Sequence, residues 1–133
     1  MKKILILIIF VRFFIPTVAS GADWELITLS NVGDKIYIDE ESIKHISKNI
    51  VRVWEKHVPK GSTFEKPFNS KHVTQLLVYG EYDCDQGRKR RLQLHFYFED
   101  GTNQKYPGPN EWSYVVPDTV AEVIIQYLCK NGT

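Results

Sequence analysis

Two hydrophobic periods divide this chain. Beyond an apolar N-terminal run, hydrophobic residues recur at every second position as far as Phe98, and at every third or fourth position from Thr119 onward. A period of two puts alternate side chains on opposite faces of a strand, whereas a period of 3.6 gathers them on one stripe of a helix. Strands are therefore expected at 24–29, 35–39 and 50–57, separated by the turns Asn31-Val32-Gly33-Asp34 and Ser47-Lys48-Asn49. Asp39-Glu40-Glu41-Ser42-Ile43 reads as a cap and one helical turn, since an Asp carboxylate accepts the backbone N–H groups that open it.

The later strands are longer. Between His72 and Cys84, the residues Leu76, Val78, Gly80, Tyr82 and Cys84 share one face, and Gln75, Leu77, Tyr79, Glu81 and Asp83 the other. After a turn at Asp85-Gln86-Gly87-Arg88, Leu92, Leu94, Phe96 and Phe98 alternate with Gln93, His95, Tyr97 and Glu99. Two segments, 58–70 and 104–117, are rich in Pro, Gly and polar residues without a period and are expected to be irregular.

The helix is expected over 119–130. Thr119 and Glu122 fit a capping box, Val120, Val123, Ile124, Tyr127 and Leu128 form an apolar stripe, and Ala121, Ile125 and Cys129 adjoin it. Glu122, Gln126 and Lys130 mark the wet side, and Gly132 suits a terminator. The fold class is thus α+β: an antiparallel sheet of about five to six strands packed against a C-terminal helix.

The N-terminal run changes the picture of where this domain works. Lys2 and Lys3 precede an apolar stretch from Ile4 to Ile15, followed by the small residues Ala19-Ser20-Gly21-Ala22. That is the layout of a secretory signal peptide. The stretch is shorter than the roughly 20 residues that span a bilayer, and Arg12 interrupts it, so no membrane span is expected once residues 1–22 are removed. Cleavage after Ala22 or after Ser20 both satisfy the small-residue rule. The former leaves a single domain, 23–133, exported to the periplasm, the cell surface or the medium. Its only cysteines, Cys84 and Cys129, would meet an oxidising compartment and are expected to form a disulfide joining sheet to helix.

Without Lys2, Lys3 and Arg12 the chain carries fourteen basic residues against sixteen acidic. Such a balance gives no reason to expect nucleic acid as a partner. The histidines His45, His57, His72 and His95 show no metal-ligand spacing, and no G-x-S-x-G or phosphate-cradling loop occurs. Neither a metal, nor another cofactor, nor catalysis is expected.

Several local patterns together resemble the surface-adhesin protein E family. They are Ala22-Asp23-Trp24 after the signal segment, Tyr37-Ile38-Asp39 with Ser42-Ile43, Ile50-Val51-Arg52-Val53-Trp54, Glu81-Tyr82-Asp83-Cys84, and Trp112 to Pro117 leading to a helix that ends Tyr127-Leu128-Cys129. The resemblance implies adhesion to host matrix proteins such as vitronectin and laminin. It transfers no binding residues, and the chain lacks the lipidation cysteine of the family's lipid-anchored members.

Two sets of residues stand out as candidate contacts. Arg88-Lys89-Arg90-Arg91 is the densest charge cluster, able to attract a polyanion or an acidic protein, although a solvated turn would look the same. Tyr106, Trp112 and Tyr114 form an aromatic set of the kind found at recognition surfaces, or else a cover for the end of the sheet. Trp24 and Trp54 lie in strands and are assigned to packing. The expected function is a non-enzymatic binding or adhesion domain of the bacterial envelope; the alternative is a soluble periplasmic accessory protein without adhesive activity.

Overall fold

The computed structural model describes residues 21–61 and 71–130. The signal segment up to Ser20, the loop reading from residue 62 to 70 and the Gly132 terminator lie outside the described residues.

The period-two segments become the strands β1 (Trp24–Leu29), β2 (Lys35–Asp39), β3 (Lys44–His45), β4 (Ile50–Val58), β5 (Val73–Asp83), β6 (Arg88–Phe98), β7 (Asn103–Pro107) and β8 (Ser113–Tyr114). All neighbouring strands are antiparallel, in the order β1-β2-β4-β5-β6-β7, with β3 added to β4 and β8 to β6. A single 3-10 turn, Glu40–Ser42, follows β2 and is capped by Asp39, whose carboxylate accepts from the Glu41 N–H at 3.2 Å.

Segment 104–117 departs from the irregular structure expected of it. Pairing Leu94 with Tyr106 and Phe96 with Gln104 makes β7 the outer strand of the sheet. Pro107 ends that strand at an edge, where its missing N–H does not interrupt the ladder. Beyond it the chain folds back across β6: the N–H of Gly108 donates to the Leu92 carbonyl at 2.9 Å and that of Asn110 to the Arg91 carbonyl at 3.0 Å. The approach at residue 108 requires glycine, because a Cβ there would lie 2.0 Å from the Arg91 carbonyl oxygen.

Helix α1 (Val120–Lys130) crosses one face of the sheet. Ile124 and Leu128 pack with Ile36 and Ile38 of β2, Val51 and Val53 of β4, and Tyr82 of β5, all essentially without solvent exposure. Ala121 is also buried while Val123 is 37% exposed, so the buried stripe is turned toward Ala121 and Ile125 relative to the one expected. The disulfide between Cys84 and Cys129, Cα to Cα 5.7 Å, accompanies that orientation by tying the end of α1 to the residue after β5. At the other end the Thr119 hydroxyl accepts from the Glu122 N–H, while the Glu122 carboxylate accepts from the N–H of Asp118, one residue earlier than the capping box predicts.

Register decides which residues share the face that α1 covers. Opposite residues in a ladder point to the same side, so Ile38, Glu55, Val78 and Leu94 line the helix side, and Tyr37, Lys56, Leu77 and His95 the open side. A bulge interrupts this between β5 and β6, where Tyr79 pairs with Gln93 but Gly80 with Arg91. Leu92 is the extra residue. Strict alternation would have placed Arg88 and Arg90 with Leu94 and Phe96; the bulge sends them to the opposite face.

Candidate functional site

The open face is built of rings and cations set in rows across the strands. One row runs Leu26, Tyr37, Lys56, Leu77, His95, Lys105 over the six main strands. Another runs Lys44, Arg52, Glu81, Arg90. A third runs Ile50, Asp83, Arg88, Tyr114.

Between the first two rows, the rings of Trp54 and Tyr79 stack with centroids 4.7 Å apart, and His95 meets Trp54 edge-on at 5.2 Å. Most cations sit against rings. The Lys56 ammonium lies 4.5 Å from the Trp24 ring centre and 4.6 Å from that of Tyr37. Arg52 lies over Tyr79, while Arg90 and Arg88 lie 4.5 and 5.1 Å from the Trp112 ring centre. Attraction between a cation and a ring face holds each long side chain in place and lowers the entropy lost if it binds something else.

Glu81 anchors the second row. Its side chain is 1% exposed and accepts from Arg52 on one oxygen and from Arg90, at 2.6 Å, on the other. Burial pushes the carboxyl pKa up, but the hydrogen bonds and charges of both arginines outweigh it and hold the group ionised below its ordinary range. Asp83 plays the same part for Arg88 at 2.8 Å, its pKa lowered first by the Gln86 N–H, against the opposing effect of burial, and further by Arg88. Burial lowers the pKa of Lys56. A shallow depression of about 340 Å³ opens beside the stacked rings, lined by Asp39, Glu41, Ser42, Lys44, Trp54 and Tyr79 among others.

The candidate contacts expected from sequence do not form one patch. Arg88, Arg90, Trp112 and Tyr114 meet on the open side, with Tyr114 72% exposed. Lys89 and Arg91 face the helix side opposite Tyr82 and Gly80, and Tyr106 packs there edge-on to Phe96 at 5.9 Å. A run of four cations in a strand is split by alternation, a consequence hidden when the cluster is read as a hairpin turn. Trp24 and Trp54, assigned to packing, stand on the face away from the core. The alternation of Arg52, Trp54 and Lys56 with the buried Val51, Val53 and Glu55 was the available signal for the open face.

The helix side holds a polar cluster of its own. Glu55, 4% exposed, accepts from the Tyr82 hydroxyl and lies 2.9 Å from His57 Nε2. Burial raises its pKa, yet the His57 and Tyr82 contacts outweigh that and leave the pKa low, whereas burial and Glu55 push the Tyr82 hydroxyl well above its ordinary value. Gly80 leaves room for this carboxylate, since a Cβ there would come within 3.2 Å of it. Among the described residues, no group of three or more His, Cys, Asp or Glu side chains is placed to hold a metal ion.

This fold is found again among known proteins. The sequence model described as surface-adhesin protein E matches residues 24–130. The chain belongs to the surface-adhesin protein E family. Solved structures of Haemophilus influenzae protein E share its fold: one is 20% identical with a TM-score of 0.57, covering 88% of this chain and 90% of that one. A second crystal form is 20% identical with a TM-score of 0.56 over 73% of this chain and 81% of that one. Protein E from non-typeable Haemophilus influenzae is 20% identical with a TM-score of 0.54, covering 87% and 80%. No curated protein matches the chain. Membership of the protein E family makes this an adhesin-like surface protein, and no helix among the described residues is long and apolar enough to cross a membrane.

Proposed function

We propose that residues 1–22 direct export and are removed, and that domain 23–133 is a non-enzymatic adhesion module of the cell envelope. Its contact surface is the open sheet face, including Arg88, Arg90, Trp112 and Tyr114, and its partners are host matrix proteins or other acidic macromolecules. One observation carries this reading: α1 packs on β2, β4 and the end of β5 on one side of the sheet, while the other side presents Trp54, Tyr79, Arg52 and Arg90, side chains of the types that dominate binding energy where proteins meet.

The test has two parts. Fractionation with protease treatment of intact cells should find the chain cleavable from outside; a chain confined to soluble periplasm and shielded from protease would remove the adhesin reading. Binding of the purified domain to surfaces coated with host matrix protein should fall on Trp54→Ala and Tyr79→Ala and persist in Arg91→Gln. The reverse pattern would move the contact surface to the helix side.

A further inference from the structure

We propose that the partner of the open face is an acidic polysaccharide, a linear sugar chain bearing sulfate or carboxylate groups. This rests on the open-face reading above and adds the chemistry of the ligand.

Charge comes first. Register places Lys35, Lys44, Arg52, Lys56, Arg88, Arg90 and Lys105 on this face, against the strand acids Asp39, Glu81 and Asp83 and, beside the depression, Glu41. The three strand acids are already engaged: Asp39 caps the 3-10 turn, Glu81 bridges Arg52 and Arg90, and Asp83 binds Arg88 and the following turn. Among the described residues Lys35, Lys44, Lys56 and Lys105 make no ion pair. A guanidinium group has five donors, of which Glu81 engages only Nε and Nη2 of Arg52 and of Arg90, and Asp83 only Nη2 of Arg88. The face therefore keeps an excess of positive charge with donors to spare.

Geometry then separates a sugar chain from an acidic peptide. Backbone N–H and C=O groups lie in the plane of the sheet and are spent on its ladders, so an extended peptide laid across the face finds no main-chain partners. A polysaccharide needs none. Its anionic groups meet cations set one to three strand separations of ~4.8 Å apart, Lys44 beside Arg52, Arg90 two strands from Arg52 and Lys105 three from Lys56, and its C–H surfaces meet the rings of Trp54 and Tyr79 between the Lys56 and Arg52 rows. The row from Leu26 to Lys105 crosses the whole sheet, which suits a linear chain rather than a single small anion.

The experiment uses the exported domain with heparin oligosaccharides as probe, and with neutral dextran and poly-glutamate as comparisons. Heparin should bind, dextran should not, and affinity should fall as salt rises. Replacing Lys44, Lys56 and Lys105 together by Gln should weaken binding on the order of tenfold or more while leaving the melting temperature nearly unchanged. Trp54→Ala should weaken it without altering the salt dependence, and Arg91→Gln on the helix side should leave it intact. Poly-glutamate binding as tightly as heparin would overturn the proposal in favour of an acidic polypeptide. Heparin failing while matrix-protein binding still depends on Trp54 would overturn it alone and leave the open-face reading standing.

Discussion

Two buried carboxylates on adjacent strands, Glu55 of β4 and Glu81 of β5, show how differently the two faces of one sheet are built. Both are almost free of solvent and both are held ionised. On the helix side Glu55 is satisfied by Tyr82 and His57, packed beside the apolar residues that receive α1. Glu81 instead orients Arg52 and Arg90, each about a third exposed. The first arrangement uses a charge to complete a closed interior. The second uses one to hold other charges toward solvent, and a surface that binds needs this preorganisation.

The contrast can be broken from either side. The largest effect is expected from the closed face: Cys84→Ser or Cys129→Ser should each remove ~4 kcal/mol, the loop-closure value for this separation, and lower the melting temperature by roughly 15–30 °C. Similar losses from both variants are required, because either removes the same bond. Leu128→Ala should follow at about 2–5 kcal/mol in denaturant unfolding, through the cavity left under α1.

Glu81→Gln should have a smaller effect, about 1–2 kcal/mol, since its arginines are partly solvated. It also has a pH signature. The pKa values of Glu55, Glu81 and Asp83 are depressed in the fold, so their stabilisation is complete above their ordinary range and is lost as pH falls through the folded values. Thermal unfolding of the wild type should weaken steadily below about pH 4.5, and Glu81→Gln should flatten that decline. Parallel curves for the two proteins would show that the arginine pair does not hold the charge. The smallest effect belongs to Lys56→Gln, within about 0.5 kcal/mol by the same measurement. A larger one would make Lys56 a packing residue of the sheet.

Alternation and the 3.6 period were enough to place the main strands and the helix, because both periods follow from backbone geometry alone. The expectation of an oxidising compartment and the count of two cysteines pointed to the disulfide that the fold contains. The β7 strand was not legible: an edge strand at a Pro-rich segment owes its conformation to the neighbour that pairs with it, and propensity for extended structure is decided largely by such context. Val123 likewise sits on the expected apolar stripe yet is exposed, since the helix is turned by what it packs on.

The binding face was half legible. Arg52, Trp54 and Lys56 alternate with buried residues in the sequence, so their common side follows from period two. Which cations join them does not. That depends on the bulge at Leu92, one extra residue that carries Arg88 and Arg90 to the open side, leaves Lys89 and Arg91 on the other, and places the first pair under Trp112. Local chemistry determined the elements of this protein. Only tertiary pairing decided which charges share a face, because register is a relation between strands and no strand carries it alone.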